Sequence, residues 1–441
     1  MSDHGHTPMP TREELVRAMD RPIARGVTIV CALLAVVGAV VFLIGALTGQ
    51  SRAWQALHFN WLFFTSVSQA AVVFVAVQRI TTARWSRPIV RMLEGYVAFL
   101  PVALLLLVLI LLGRAHIFPW AHEEVAIAEK RFYLQPGFFI ARTLLVTAII
   151  TGLSLWYVCT SLRLDVGLTP ESGAKWARGL RERMRRGFGE ERREIHSTHS
   201  LQGRLSVILC LAFGFFYTLL SWDLSMTLDV HFQSALYSWW FFMGGWLAAL
   251  ASWSLLVMWW RRYLNVYDLI TDSHFHDLGK LVFAFTAFWG YLTFGQYLVI
   301  WYGNLAEETH WMRLRLIAPW LPLTLTAVTL MFVLPFFGLL SRAAKVYLPT
   351  FFVFALSVVV GLWLVRYMEV YPSLHYESAT VPFGLWEIGV AAGYLGIWGL
   401  CYIAFMNAFP RVRAVLMTSP YRDQVQVPYN PETMETLPAH E

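Results

Sequence analysis

The chain has 441 residues, of which 57% are hydrophobic and only 14% charged, whereas a soluble domain carries about 25% charged residues. This composition excludes a soluble protein and indicates an integral membrane protein. The net charge of +6 lies in particular loops between hydrophobic segments, which fits membrane orientation and argues against a nucleic-acid partner.

Ten stretches are apolar and long enough to cross a bilayer, which takes roughly 20 residues. They lie at about 25–48, 58–80, 93–113, 138–162, 204–222, 234–260, 277–303, 316–341, 347–370 and 383–409. We therefore predict an all-α polytopic fold with an N-terminal tail at 1–24, a ten-helix domain at 25–409 and a C-terminal tail at 410–441. The tail after Pro410 is polar and proline-rich, so we expect it to be extended or disordered.

Basic residues predict the orientation. Both tails and the alternate loops between them, together with the adjoining span ends, hold 25 Lys and Arg residues, and the opposite loops hold 6. By the positive-inside rule both termini of this multi-pass membrane protein are cytoplasmic. The opposite, outer loops are rich in acids and histidines, among them Glu123, Glu124, Asp229 and His231.

The longest loop, 163–203, is strongly basic between Lys175 and Arg186. Ala177, Leu180, Met184 and Phe188 follow at helical spacing on one stripe. This pattern predicts an amphipathic helix on the cytoplasmic surface, lying against anionic lipid or against a cytoplasmic partner.

An internal similarity indicates a duplication of four helices. The sequence NWLFF at Asn60–Phe64 opens span two, and SWWFF at Ser238–Phe242 opens span six, 178 positions later and on the same side. A parallel repeat would explain the match, although aromatic-rich spans also match by chance.

Redox metals are not expected in this chain. The four cysteines lie apart from one another, each in an apolar run, which does not fit an Fe–S cluster. No histidine lies in the middle of a span, which does not fit the paired axial ligands of a membrane haem. If the protein handles electrons, haem and Fe–S centres belong to partner subunits.

Ionisable residues at membrane depth mark functional sites more often than not. The candidates for a proton path are Glu94, Asp277 and Lys280 at the cytoplasmic ends of spans, Asp223, His231 and Glu387 at the outer ends, and Gln296 with neighbouring hydroxyls inside span seven. Arg142, Arg366 and Glu369 are interpreted as structural: Arg142 as a side chain reaching the interface, and Arg366 with Glu369 as an i, i+3 ion pair. No residue is predicted to be catalytic. Glu387 has no obvious partner in the sequence. Asp277 and Lys280 are also spaced i, i+3, so they could form an ion pair as well.

Several motifs resemble one family. HDLGKL at His276–Leu281 opens span seven, QYLVIWY at Gln296–Tyr302 ends it, and DVHF lies at Asp229–Phe232. These segments resemble the second NrfD-like (polysulfide-reductase-type) membrane subunit of alternative complex III, a bacterial quinol:electron-acceptor oxidoreductase. The resemblance extends from Trp61 through span ten.

The resemblance implies an architecture and partners. It implies a fold of two four-helix bundles with two additional helices. It also implies a larger NrfD-like sister subunit that binds menaquinol, and periplasmic Fe–S and multihaem cytochrome subunits. The complex would also translocate protons. NrfD-like quinol subunits commonly carry Asp-Leu-Gly-Arg-Pro, whereas this chain has Lys280 and Leu281 after Gly279. We therefore expect the quinone at a neighbouring subunit.

A secondary transporter is the alternative, because ten spans, a possible repeat and buried charges also fit that class. Pro319, Pro322 and Pro335 in span eight could mark the broken helix that transporters use. The charges, however, cluster at helix ends and not at the midplane, which favours the subunit of an oxidoreductase.

Overall fold

The computed structural model describes residues 11–122, 127–169 and 172–419, which form helices and no strands. The ten spans predicted from the sequence are confirmed. Spans one to ten are Arg25–Leu47, Ser51–Ile80, Val90–Leu112, Pro136–Leu168, Glu191–Leu228, Tyr237–Leu264, Asp272–Gly303, Leu321–Gly338, Leu348–Leu374 and Leu385–Ala408. Glu123 and Glu124 of the predicted acidic face lie outside the described residues.

Shorter helices occupy the ends and the connections. They are Arg12–Met19, Arg114–His116, Pro119–Ala121, Ala128–Arg131, Lys175–Ala177, Arg178–Arg185, Ala306–Leu316, Arg342–Val346 and Ala414–Thr418. Span two begins seven residues before the predicted start, so His58 lies about two turns inside a helix and not at its first turn. Span eight contains a π-helical turn at Thr329–Val333, just before Pro335.

The spans form two rings of four and one pair. Spans two to five pack in a ring that makes the first bundle, and spans six to nine pack in a second ring in the same chain order. Spans one and ten form the extra pair, which packs on span two and on the start of span three. This is the arrangement of two four-helix bundles plus two helices that was predicted.

Span two lies at the centre of the molecule, where it also contacts spans six, nine and ten. Its polar side chains are paired across helices. Asn60 accepts a hydrogen bond of 2.9 Å from Trp363 Nε1 in span nine, and Gln69 donates one of 2.7 Å to Ser154 in span four. A helix buried on all sides needs such partners, because no water reaches its polar groups.

Small residues let spans one and ten approach closely. A Cβ atom built on Gly38 would lie 2.1 Å from Gly393 Cα, so neither position tolerates a side chain. Such small-residue seams replace the hydrophobic effect as the packing device between helices in lipid. The opposite face of span one exposes Ile29, Leu33 and other aliphatic side chains, as a lipid-facing surface does.

The first and last described segments, Arg12–Met19 and Ala414–Thr418, lie at the same end of the helices. We call this end the terminal face and the opposite end the distal face; the terminal face is the one predicted to be cytoplasmic. Arg411 donates to the carbonyl oxygen of Met19 at 3.0 Å, and Arg12 Nε donates to Thr418 Oγ1 at 3.3 Å.

Two expectations about the terminal face need correction. Residues 411–419 are packed and largely buried, so the tail is not extended there; residues 420–441 lie outside the described residues. In the basic loop, Arg178–Arg185 is a short helix, but Ala177 is buried against the protein and Phe188 packs beside Leu164 and Ile195. Much of the predicted apolar stripe therefore contacts the protein itself and not lipid.

The register of the repeat also differs from the sequence match. Trp61 of span two donates to the carbonyl oxygen of Ala103 in span three at 2.7 Å. The tryptophan of span six that reaches the next span is Trp240, which donates to Thr293 at 2.9 Å, whereas Trp239 is 55% exposed. Trp240 is therefore the structural counterpart of Trp61.

Candidate functional site

Glu94 lies at the terminal face inside a closed cluster of four charged side chains. Arg91 and Arg413 both donate to its carboxylate, and Arg91 also binds Asp165. Asp165 accepts a further hydrogen bond of 3.0 Å from the backbone N–H of Val415, in the helix Ala414–Thr418. Two carboxylates and two guanidinium groups balance in charge, so the cluster ties span three to span four and to the segment after span ten.

Asp277 and Lys280 lie apart from that cluster, near the start of span seven. Lys280 Nζ is 2.7 Å from Asp277 Oδ1, and the two side chains are 55% and 25% exposed. They form the i, i+3 ion pair that their spacing allows. Glu94 and this pair therefore do not share one site.

Asp223 at the distal end of span five binds Arg142 of span four. Arg142 donates through Nε to Asp223 Oδ2 at 3.0 Å and through Nη2 to Oδ1 at 2.7 Å. Tyr133 and Thr143 also donate to this carboxylate, at 2.7 and 3.2 Å. Burial, with a smaller effect from the adjacent carboxylate, raises the pKa of Tyr133. Arg142 is therefore the ion-pair partner of Asp223, and its side chain is only 10% exposed.

Glu387 at the start of span ten also has partners, contrary to the sequence analysis. Arg52 donates to both of its carboxylate oxygens, at 3.1 and 2.8 Å. Tyr371 and the backbone N–H of Gly384 each donate at 2.8 Å. The carboxylate is fully buried, and the last of these bonds caps the helix that it begins.

Arg366 and Glu369 form the ion pair predicted by their spacing, with Nη1 and Oε1 2.5 Å apart and both side chains buried. Ser225 of span five donates to the other carboxylate oxygen at 3.3 Å, and its hydroxyl lies 2.5 Å from that of Tyr237 in span six. Glu369 therefore joins the second bundle to the end of the first.

A cavity of about 100 Å³ opens beside Glu369 in the distal half of the second bundle. Its walls come from spans six to nine and the connection between spans seven and eight. They are Trp240, Trp289, Thr293, Gln296, Trp311, Met312, Arg315, Leu316, Thr324, Ala327, Val328, Val365, Met368 and Glu369. The lining is mostly apolar and aromatic, with a few polar groups that converge, as in small-molecule sites.

Two lining residues of this cavity, Gln296 and Trp289, have buried side-chain polar atoms without partners among the described residues. Gln296 is 5% exposed, and neither Nε2 nor Oε1 has a hydrogen-bond partner among the described residues. A buried amide without partners costs free energy, which water or a ligand in the cavity would offset. Gln296 follows Thr286, Trp289 and Thr293 on one face of span seven, at spacings of three or four residues.

Arg315 brings positive charge to the same cavity. It lies in the helix Ala306–Leu316, and its guanidinium donates to the carbonyl oxygens of Met368, Trp311 and Glu369 at 2.9, 2.7 and 3.1 Å. Burial lowers the pKa of Arg315 to about 10. Its guanidinium also lies 3.6 Å from the ring centroid of Trp311, a cation–π contact.

The structure brings only some of the predicted site residues together. Gln296 and Glu369 line one cavity, whereas Asp223, Glu387 and Glu94 each lie in a separate closed set of hydrogen bonds. His231 is exposed, and its backbone N–H donates to Asp229 at 3.1 Å. The lining of the cavity extends to Val328, which directly precedes the π-helical turn Thr329–Val333 of span eight.

Three arginines of these sites were missed in the sequence. The sequence places Arg52, Arg315 and Arg413 in loops or a tail, where Lys and Arg were counted only as orientation signals; in the structure Arg52 lies in the first turn of span two. Their partners are distant in sequence, 54 residues from Arg315 to Glu369 and 319 from Arg413 to Glu94. Of the three, only Arg413 could have been recognised from the sequence. It and Arg411 lie directly after span ten, in a tail that is otherwise poor in basic residues.

Comparison with known proteins adds no relative: the chain matches no protein-family model and no curated protein. Its geometry and its motifs are therefore the basis for a function.

Proposed function

We propose that the chain is a non-catalytic membrane subunit of a quinol-oxidising electron-transfer complex of the alternative complex III type, in the bacterial inner membrane. In such an assembly a larger NrfD-like subunit binds menaquinol, and periplasmic Fe–S and multihaem cytochrome subunits carry the electrons. The motifs between His276 and Tyr302 support this assignment. The two bundles with an extra helix pair agree with the architecture that the resemblance implies.

The closed ion pairs support a scaffolding role. Asp223, Glu387 and Glu94 are each surrounded by donors from other parts of the chain, an arrangement that fixes helices relative to one another. Removing one partner of a buried pair leaves a charge without compensation, so these sites tolerate few changes. A rigid ten-helix body of this kind provides a fixed surface for the sister subunit.

The cavity supports a second role, the conduction of protons through the second bundle. Its volume of about 100 Å³ accommodates a few water molecules. Gln296 offers a donor and an acceptor, and the Glu369 carboxylate adjoins the same space. This meeting of Gln296 and Glu369 in one cavity is the observation on which the conduction proposal depends.

The path continues toward the terminal face along span seven. The hydroxyl of Thr286 is buried and has no hydrogen-bond partner among the described residues. It lies ten positions before Gln296, roughly 15 Å away along the helix. Water molecules between such groups can pass protons without a carboxylate at the midplane. Asp277 lies nine positions further toward the terminal face, where the path would begin.

Copurification tests the assignment. The chain is tagged after Glu441, extracted from its native membranes in mild detergent and analysed by mass spectrometry and haem staining. We expect a larger NrfD-like subunit, a multihaem cytochrome and an Fe–S protein in stoichiometric amounts. A preparation that contains this chain without redox partners, under conditions that keep other respiratory complexes intact, contradicts the proposal.

A further inference from the structure

A second cavity, of about 50 Å³, lies on the terminal face between the end of span two, the start of span three and span five. Its charged and amide lining side chains are Gln78, Arg79, Arg87, Gln202 and Arg413. No Asp or Glu is among the described residues that line it. The cavity therefore presents hydrogen-bond donors and positive charge from several segments at once.

Several of these donors have no partner. Among the described residues, none accepts a hydrogen bond from Gln78 Nε2, Gln202 Nε2, Arg79 Nε or Arg413 Nε. Gln78 and Gln202 are each only 7% exposed, so bulk water does not compensate them. A buried donor without an acceptor costs free energy, and four such donors on residues that line one cavity indicate that a group with acceptor oxygens belongs there.

The orientation of Gln78 follows from its neighbour. The hydroxyl of Ser86 donates to Gln78 Oε1, which leaves the amide NH₂ as the end without a partner. Arg413 is also held in place, because its Nη2 donates to Glu94. The donors are thus fixed before any ligand arrives, and such preorganisation lowers the cost of binding.

The size and charge of the cavity select the ligand. A space of about 50 Å³ accommodates one compact group and excludes a nucleotide or a peptide. Arginine and amide donors that converge without a carboxylate are suited to a phosphate oxyanion, which accepts hydrogen bonds through every oxygen. A water molecule would leave most of the donors unpaired, because it has too few acceptor sites.

The position of the cavity points to the membrane surface. Gly203 of span five flanks Arg79, with a built Cβ 3.5 Å from Arg79 Nη2. One turn further into the membrane on the same side of that helix, Val207 is 48% exposed, and Ile80 beside Arg79 is 47% exposed. A phosphate in the cavity would therefore have apolar surface beside it for acyl chains. Basic pockets between helices on the cytoplasmic side are suited to anionic lipid head groups.

We propose that this cavity is a binding site for a phosphate group, supplied by an anionic phospholipid of the leaflet at the terminal face. The site ties span two, span five and the segment after span ten to one head group. It does not depend on the assignment to a quinol-oxidising complex, because it follows from donors on a different face of the molecule.

Lipid retention measured by native mass spectrometry tests the site. The full chain is purified in neutral detergent with its partners and mixed with micelles that contain either phosphatidylglycerol or phosphatidylcholine. The variants Gln202→Leu and Gln78→Leu each remove one amide donor and leave every charge in place. Arg262→Gln is the control, since it removes an exposed cation at the end of span six. A second arm replaces the lipid with inorganic phosphate.

We expect the natural chain to retain phosphatidylglycerol tightly. Each glutamine variant should bind it at least about tenfold more weakly. A tenfold change corresponds to about 1.4 kcal/mol, the contribution of one charge-assisted hydrogen bond. The control should retain the lipid normally. Two variants on different spans keep the test valid if one of them does not fold. Binding of inorganic phosphate without retention of phosphatidylglycerol would keep the phosphate site and overturn the lipid as its source. Equal retention of both lipids, or unchanged affinity for both ligands in both glutamine variants, overturns the site.

Discussion

Arg142 and Asp223 face each other between spans four and five with two parallel hydrogen bonds, of 3.0 and 2.7 Å, and both side chains are almost completely buried. The pair has a counterpart in the second bundle, where Arg366 binds Glu369 near the distal end of span nine. The sequence makes Asp223 a proton-path candidate and Glu369 a structural residue. Glu369 adjoins the cavity that Gln296 lines, whereas the Asp223 carboxylate is filled by donors from Arg142, Tyr133 and Thr143.

Asp223→Asn should destabilise the protein, because it leaves Arg142 charged and buried without a counter-ion. We expect a loss of about 3–5 kcal/mol, which appears as a lower midpoint of thermal unfolding in detergent. The exposed His231→Ala is the control and should leave the midpoint unchanged. An unaltered midpoint in Asp223→Asn would show that the pair does not hold the bundle.

Glu387→Gln should also reduce stability and the yield of assembled protein. The amide replaces one acceptor oxygen with a donor that faces the guanidinium of Arg52. Glu377→Gln is a matched control, because Glu377 is exposed on the same face. If Glu387→Gln assembled normally and released fewer protons per electron, Glu387 would belong to the path after all.

Gln296→Leu should reduce proton release per electron in liposomes that contain the whole complex. Leucine fills similar space but cannot order water in the cavity. Quinol oxidation and assembly should remain near normal, because Gln296 contributes no hydrogen bond to the fold among the described residues. Tyr291→Phe, at an exposed position of the same span, is the control. Unchanged proton release in Gln296→Leu would limit the chain to a scaffold.

Asp277→Asn separates conduction from stability at the other end of span seven. Exposed ion pairs contribute about 0–1 kcal/mol, so loss of the pair with Lys280 should barely change thermal unfolding. If protons enter there, proton release per electron falls while assembly stays intact. Proton release equal to that of the natural chain would show that entry lies elsewhere.

The orientation is tested by reporter fusions after Glu441 and near Gly187. Both should report the cytoplasm, on the 25-to-6 distribution of basic residues. A fusion in the connection near Leu305, between spans seven and eight, should report the opposite side. A periplasmic signal from either of the first two fusions would reverse the assignment of both faces.

The spans could be predicted from the sequence because lipid requires long apolar helices with internally paired backbones. The pair Arg366–Glu369 could be predicted for a similar reason, since both residues lie on one helix. The partners of Glu387 and Glu94 could not, because Arg52 in the first turn of span two and Arg413 after span ten are far from them in sequence and only the folded chain brings them near. The cavity beside Gln296 depends on the packing of four spans, and no local pattern in the sequence encodes it.

Menaquinol-driven reduction of haem tests the central claim most directly. The complex is purified through a tag on this chain, a reduced menaquinone analogue is added, and the visible spectrum is followed. We predict a Soret band in the preparation and growth of the reduced α band on addition of the quinol, with both absent when the chain is isolated from its partners. A preparation without a Soret band, or with haem that the quinol does not reduce, would contradict the claim that the chain is a subunit of a quinol-oxidising complex.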